Sequence, residues 1–410
     1  MSNQPFRFVH ASDFHLELPP QGVAEVPDHL QELFLESAYW AAERVFETVL
    51  AEEAAFLILA GDILNPQRTG PRGPIFLVEH FERLAEREID VYWAGGNVDP
   101  ADTWPAAMKL PENVHLFPRG SIEEFVYQRD NTPLARLIGV SRDPARKFCP
   151  KDFEPDPGGL FSIAVVHGKA GAKSLRSRDI HYWALGGRHD RSTLFSSPHI
   201  AHYSGSPQGR SPGERGKHGC TLVQVDEGQH ARTSLVPADV MRWLDERVVV
   251  DEETTREDLE SIVREQMHTL VETTGPVDLL VSWTIAGAGP LLSRVRGEGL
   301  ADELLELLRA EYGSGPPAAW SLSMDVEFSE SLSPEMYEQE TICGDFLRAI
   351  RQFQMNPDET LDLEDYAGEK CPAGAPAAAI ALPDPAVREY ILREAALLGV
   401  DLLGGEEVEL

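Results

Sequence analysis

The sequence predicts an α/β protein in which two β-sheets pack on one another, followed by a small acidic α/β unit. Three observations carry that prediction. Short apolar runs alternate with helical stretches over the first 96 residues, a second series of short strands follows with little helix between many of them, and around residues 242–256 the chain turns strongly acidic.

The elements follow in order. "FRFVHAS" (6–12), "FLILAGDI" (56–63) and "IDVYWAGG" (89–96) are β-favouring and end in small or turn-forming residues. Between the first two lies a helical stretch that begins at Asp28, a plausible cap. "IFLVEHFERLAERE" (75–88) makes a second helix before the third strand. This βαβαβ order predicts a parallel sheet whose loops gather at the carboxyl ends of its strands. "HLFP", "EEFVYQR", "LARLIGVS", "FSIAVVHG", "HYWALGG", "IAHYSGS" and "TLVQVDEG" supply the second sheet. Beyond the acidic turn, helices are expected in "TREDLESIVREQMHTLVE" and "LADELLELLRAEY", and strands in "VDLLVSWTIAG" and "WSLSMDVEFS". "CPAGAPAAAIALPDP" (371–385) reads as a flexible connection and "DPAVREYILREAALLG" as a closing helix. The expected division is residues 1–243, an acidic α/β unit over 244–370, and a linker with helix over 371–410.

The chain has 410 residues, more than one hydrophobic core usually serves, and 42% of them are hydrophobic. No apolar run reaches the ~18 residues of a membrane span, and the N-terminus does not read as a secretory signal. Cys149, Cys220, Cys343 and Cys371 are scattered without a C-x-x-C pair, which predicts free thiols in a reducing cytoplasm and no cysteine zinc site. The net charge of −32 is uneven: residues 1–250 carry 34 acids and 26 bases, and residues 251–410 carry 34 and 10. That balance argues against a general nucleic-acid binder, because the acidic part repels a polyanion.

Polar residues gather where the strands end: Asp13 and His15 in "SDFH", Asp62 in "AGDILN", Asn97 in "GGNVD", His167 in "AVVHG" and His189 in "ALGGRHD". Taken singly, each reads as a cap, a turn or a satisfied imidazole. Six such residues at successive strand ends predict one crevice at the sheet edge. Carboxylate, imidazole and amide oxygen form a mixed O/N donor set suited to divalent manganese, iron or zinc.

Asp-x-His, Gly-Asp, Gly-Asn, a lone His-Gly and a final x-His resemble the calcineurin-like metallophosphoesterases. "ASDFHLE", "LAGDILN", "VVHG", "YWALGG" and "YSGSPQGR" are similar to the SbcD-type DNA repair exonucleases, especially the bacterial YhaO-like branch, over residues 6–243. The resemblance implies a four-layer α/β/β/α sandwich with a small C-terminal capping domain, and hydrolysis of phosphodiesters by a two-manganese centre. It implies a first metal on Asp13, His15, Asp62 and His189, and a second on Asp62, Asn97 and His167. The family's general acid follows its Asn, where this chain has Val98. The first His of its G-H-x-H motif falls on Gly187. Asp99, Asp190 and His181 are candidates to complete the second shell, and Arg188 to stabilise phosphate charge.

Bases recur between Arg142 and Lys217, among them Lys147, Lys169, Lys173 and Arg210, and predict contact with a phosphate backbone. The resemblance further implies DNA as partner and an SbcC-like coiled-coil ATPase; the sequence itself shows no P-loop. A homodimer, a small phosphate ester as substrate, and a catalytically weak DNA- or partner-binding subunit stand as alternatives.

Overall fold

The computed structural model describes residues 4–23, 26–146, 148–287, 289–297, 299–327, 334–356 and 385–403. The expected linker over 371–384, Cys371 and Lys147 lie outside the described residues.

The chain begins with β1 (Phe6–Ala11), α1 (Gln31–Ala51), β2 (Phe56–Leu59), a one-turn α2 (Pro66–Thr69), α3 (Arg72–Ala85), β3 (Asp90–Ala94) and β4 (Val114–Phe117). Next come β5 (Glu123–Arg129), β6 (Thr132–Val140), β7 (Phe161–His167), a short α4 (Ala172–Arg176), β8 (Tyr182–Gly186), β9 (Ser192–Phe195) and β10 (Ile200–Tyr203). β11 (Gly219–Val225) and β12 (Ala231–Pro237) follow. The first sheet has the order β12-β11-β1-β2-β3-β4, and the second β5-β6-β7-β8-β10-β9. β1 to β4 run parallel, as do β6, β7, β8 and β10.

Period-two alternation explains how these strands bury both faces. Phe6, Phe8, Phe56, Ile58 and Tyr92 meet Phe161, Ile163, Val165 and Tyr182 between the sheets. Val9, Leu57, Leu59, Val91 and Trp93 point the other way, against Ala42, Val45, Phe46 and Val49 of α1 and Leu77 and Phe81 of α3. The far face of the second sheet packs Ala164, Val166, Trp183 and Leu185 under Phe153 and Leu175 of α4. This is the predicted layering, with a thin outer layer on the second sheet.

Beyond β12 the chain forms β13 (Met241–Val250), α5 (Arg256–Thr274), β14 (Asp278–Gly287), α6 (Pro290–Gly297), α7 (Leu300–Tyr312) and β15 (Ala319–Val326). α8 (Pro334–Glu338), α9 (Ile342–Met355) and α10 (Pro385–Leu403) follow. Two compact units result. One holds Met1–Asp245, Met267–Ser282 and Arg309–Leu322, and the other holds Glu246–Gln266, Trp283–Leu308 and Ser323–Leu410. Segments well past residue 243 thus group with the first unit. No described helix is long and apolar enough to cross a membrane.

Candidate metal centre

Asp13, Asp62 and Asn97 each lie two or three residues past the end of β1, β2 and β3, while His167 ends β7 and His189 follows β8. Main-chain bonds lock these ends together: the Asp13 N–H donates to Gly61 O (2.9 Å), that of His15 to Asp62 O (3.0 Å), and that of Gly168 to Gly186 O (2.9 Å). Asp13, His15 and Asp62 have φ of 56°, 47° and 54°. For residues with a Cβ, such left-handed backbone costs ~1–3 kcal/mol each and concentrates at functional sites. Gly96 is required by contact, since a Cβ there would meet the Asp62 nitrogen at 2.5 Å.

Five of the predicted residues fall into two groups, Asp13–His15–His189 and Asp13–Asp62–His167, each with donor atoms within 4.8 Å of one another. Asp13 belongs to both. Asp62 Oδ2 stands 3.1 Å from His167 Nε2 and 3.8 Å from His15 Nε2, so it too faces both sides.

The orientations of the imidazoles suit metal ligation. His167 Nδ1 donates to Ala60 O at 2.8 Å, which leaves Nε2 turned to Asp62. His15 Nδ1 lies 3.2 Å from Glu17 Oε1, while His15 Nε2 is buried without a partner. His189 Nδ1 lies 2.7 Å from Glu214 Oε1. A second carboxylate or carbonyl behind each imidazole fixes the ring and raises its basicity, as metal-binding histidines generally require. The orphaned His15 nitrogen and this donor chemistry fit divalent cations.

The charges are balanced against burial. Burial raises the Asp13 carboxyl, against attraction from His167 and the hydroxyl of Ser12. Burial also opposes the charge of Asp62, but the His167 hydrogen bond and charge, with Asn97 and the Val98 N–H, hold it well below the carboxylate range. Burial disfavours the His167 cation, yet Asp62 and Asp13 lift it to about 9. Burial opposes the charge of Glu214, while His189 and Arg210 keep it at about 2.

Asn97 directs its amide nitrogen at Asp62 Oδ2 (3.0 Å) and His167 Nε2 (2.9 Å). Serving as an oxygen ligand requires the opposite orientation of this amide. The Val98 N–H donates to Asp62 Oδ1 at 3.0 Å, and that of Gly187 to Asp13 at 2.9 and 3.1 Å. Arg188 is exposed and stacks 4.7 Å over the Tyr203 ring, whose hydroxyl donates to Gly168 O. Arg210 is buried, with Nη2 at 3.0 and 3.1 Å from the two His189 ring nitrogens. Lys169 is exposed beside His167, and Lys173 is exposed on α4.

Of the three candidates to complete the second shell, two are accounted for elsewhere. Asp99 is buried and accepts from the N–H groups of Asp62, Ile63 and Gly96 and from the Trp93 indole, at 2.7–3.1 Å. His181 accepts from the Ser162 N–H at 2.9 Å, at the far end of β7 from His167. Five residue steps along the strand separate Ser162 from His167, about 16 Å. Asp190 is exposed, and its side chain makes no hydrogen bond among the described residues. Sequence reasoning did not single out Glu17 and Glu214, the carboxylates behind two of the histidines. Glu17 stands in "HLE", two residues past His15, and spacing was its only signal; Glu214 reaches His189 across 25 residues.

No family model matches the chain. It is 27% identical over 335 residues, 78% of this chain and 81% of the relative, to the uncharacterized metallophosphoesterase YhaO of Bacillus subtilis (strain 168). This similarity and the centre's donor set support the metallophosphoesterase superfamily. Among solved structures, a dimetal phosphatase from Danio rerio aligns at 12% identity over 56% of this chain and 98% of its own, with a TM-score of 0.35. Vacuolar protein sorting 29 from Cryptosporidium parvum aligns at 14% over 57% and 100%, with a TM-score of 0.27. Scores this low carry no argument for function.

Proposed function

We propose that the protein is a manganese-dependent phosphodiesterase of the DNA repair exonuclease type, with its second metal position weakened. The observation that supports this most is the pair of ligating groups sharing Asp13. Asp13, His15, Asp62 and His189 would hold the first ion, and Asp62, His167 and a turned Asn97 the second. Bound there, such ions would activate water as the nucleophile and neutralise charge on the phosphate. The chain's own side chains then do the rest. Glu17 and Glu214 hold His15 and His189 in register, while Arg188 and Arg210 bring cationic charge to the phosphate, in a centre where Val98 donates no proton. Without a general acid the rate falls ~10²–10⁴-fold, so slow turnover is expected. A coiled-coil ATPase partner belongs to the same proposal.

The test is hydrolysis of bis-p-nitrophenyl phosphate with manganese, with Asp62→Ala as control. Turnover that disappears in the control supports the reading. Equal, negligible rates in both overturn it in favour of a DNA- or partner-binding subunit, the reading that Val98 and Gly187 favour.

A further inference from the structure

A cavity of about 900 Å³ opens beside the centre, with Asn97, His167 and Gly187 in one wall. Its size lies within the ~300–1,000 Å³ of small-molecule sites. Phe148 lines it and is half-buried. Behind Phe148 stand Phe153 and Trp183, both buried, with ring centroids at 5.4 and 6.1 Å. An aromatic ring braced in this way is a rigid stacking platform. Arg142 and Lys169 also line the cavity, and no hydrogen bond or ion pair engages their side chains among the described residues. Arg142 is anchored by its N–H to Gly95 O at 2.8 Å, in the same turn that carries Asn97. Arg146, by contrast, is already engaged by Gly120 O and Asp152.

We propose that this cavity is a base subsite. It takes one unstacked nucleobase, attached to the phosphoester held at the metal centre, against the Phe148 ring. The substrate class is therefore a single nucleotide unit, either free or at the frayed end of a strand. This deepens the phosphodiesterase reading and rests on it. A base within an intact duplex stays stacked on its neighbours and cannot enter, while a small alkyl ester leaves the platform uncovered. Stacking a base on an aromatic side chain contributes ~1–3 kcal/mol, about 5- to 150-fold in affinity.

The experiment compares binding of dAMP, 2-deoxyribose 5-phosphate and inorganic phosphate to the full chain by calorimetry. dAMP is expected to bind about 10-fold or more tighter than deoxyribose phosphate. Phe148→Ala is expected to abolish that difference while leaving deoxyribose phosphate unchanged, and Phe148→Tyr to restore it. Should Phe148→Ala fail to fold, Ser121→Trp, at an exposed position of the cavity lining, is expected to fill the subsite and remove the same increment. Cys149 lines the cavity too, so dAMP should slow its alkylation and leave that of Cys343 unaltered. Single strands ending in a base or an abasic residue separate the sources. An increment carried by dAMP alone marks a free nucleotide, and one seen only with the base-ended strand marks a strand terminus. Equal affinities with and without the base in both arms overturn the proposal, as does equal weakening of all ligands by Phe148→Ala. The increment should persist in Asp62→Ala, because Phe148 and not the metal centre carries it; wild-type protein that shows the increment but no manganese-dependent turnover overturns the phosphodiesterase reading and not the subsite.

Discussion

Glu17 offers a sharp test of the metal centre because it touches no proposed substrate position. Its Oε1 faces His15 Nδ1 at 3.2 Å, its Oε2 accepts from the Asn65 N–H at 2.9 Å, and its side chain is 1% exposed. Burial opposes its charge, but these hydrogen bonds hold the carboxyl below its ordinary range. Glu17→Gln keeps the shape and one acceptor and removes the charge behind His15. Losing such a partner costs about 10–100-fold in metal affinity. At a manganese concentration 100 times the wild-type Kd, binding stabilises the fold by about 2.7 kcal/mol. The variant retains about 1.4 kcal/mol at 10-fold weaker affinity and about 0.4 kcal/mol at 100-fold. At about 2–4 °C per kcal/mol, a wild-type shift of about 5–11 °C falls to about half or less. The assay is thermal unfolding with and without manganese, each variant compared with its own metal-free form. A manganese shift in Glu17→Gln equal to that of wild type refutes the idea that Glu17 supports a ligand. No shift in wild type refutes the centre.

His202 is fully buried between Thr193 and Thr221 at 2.8 and 2.9 Å, beside the buried His10. Burial, reinforced by Arg191, pushes its pKa down to about 3 from 6.5. Its folded pKa is depressed, so the stability it allows is present above pH 6.5 and is lost as pH falls toward 3. Between pH 7.5 and 5 the loss is about 2 kcal/mol, and His202→Gln should flatten the urea-unfolding profile by that amount. Asp99→Leu leaves four donors without their acceptor, and at ~1–3 kcal/mol for each unsatisfied group it should leave little folded protein by circular dichroism. Gly187 has φ 94°, and a Cβ there would lie 3.2 Å from His167 Nε2. Gly187→His should therefore lower metal-free stability by ~1–3 kcal/mol yet raise the manganese bound per chain, measured by equilibrium dialysis.

Much of the fold was legible because its strands have period-two burial and clear punctuation. "EEFVYQR" coincides with β5, and the predicted first three strands contain β1, β2 and β3. β9 and β12 were not foreseen: "STLF" is short, and β12 alternates exposed and half-buried residues at the edge of its sheet. α9 was missed as well, although Thr341 caps it by accepting from the Gly344 N–H. At the centre, strand-end position brought out Asp13, Asp62, Asn97 and His167, because parallel strands deliver their carboxyl ends to one edge. The orienting carboxylates were harder to read. Glu214 is separated from His189 by two strands' worth of chain, and only the fold brings them to 2.7 Å.

The two departures from the family pattern share a feature that bears on whether the centre works. At 98 and 187 the chain lacks imidazoles, yet both residues hold the proposed ligands through their main chains. The Val98 N–H supports Asp62 and the Gly187 N–H supports Asp13, each within 3.1 Å. A backbone donor acts the same whatever side chain it carries. Substituting these positions therefore removes a proton donor and a ligand while leaving the shared carboxylates oriented. Loss of both functions together would follow only if the carboxylates depended on those side chains, and here they do not. The arrangement predicts a protein that binds metal normally at the His15 side and turns over slowly, so metal affinity and catalytic rate should separate. A Val98→His variant should raise the rate by up to ~10²-fold with no change in manganese affinity. A parallel change in both would show that position 98 shapes the cradle itself.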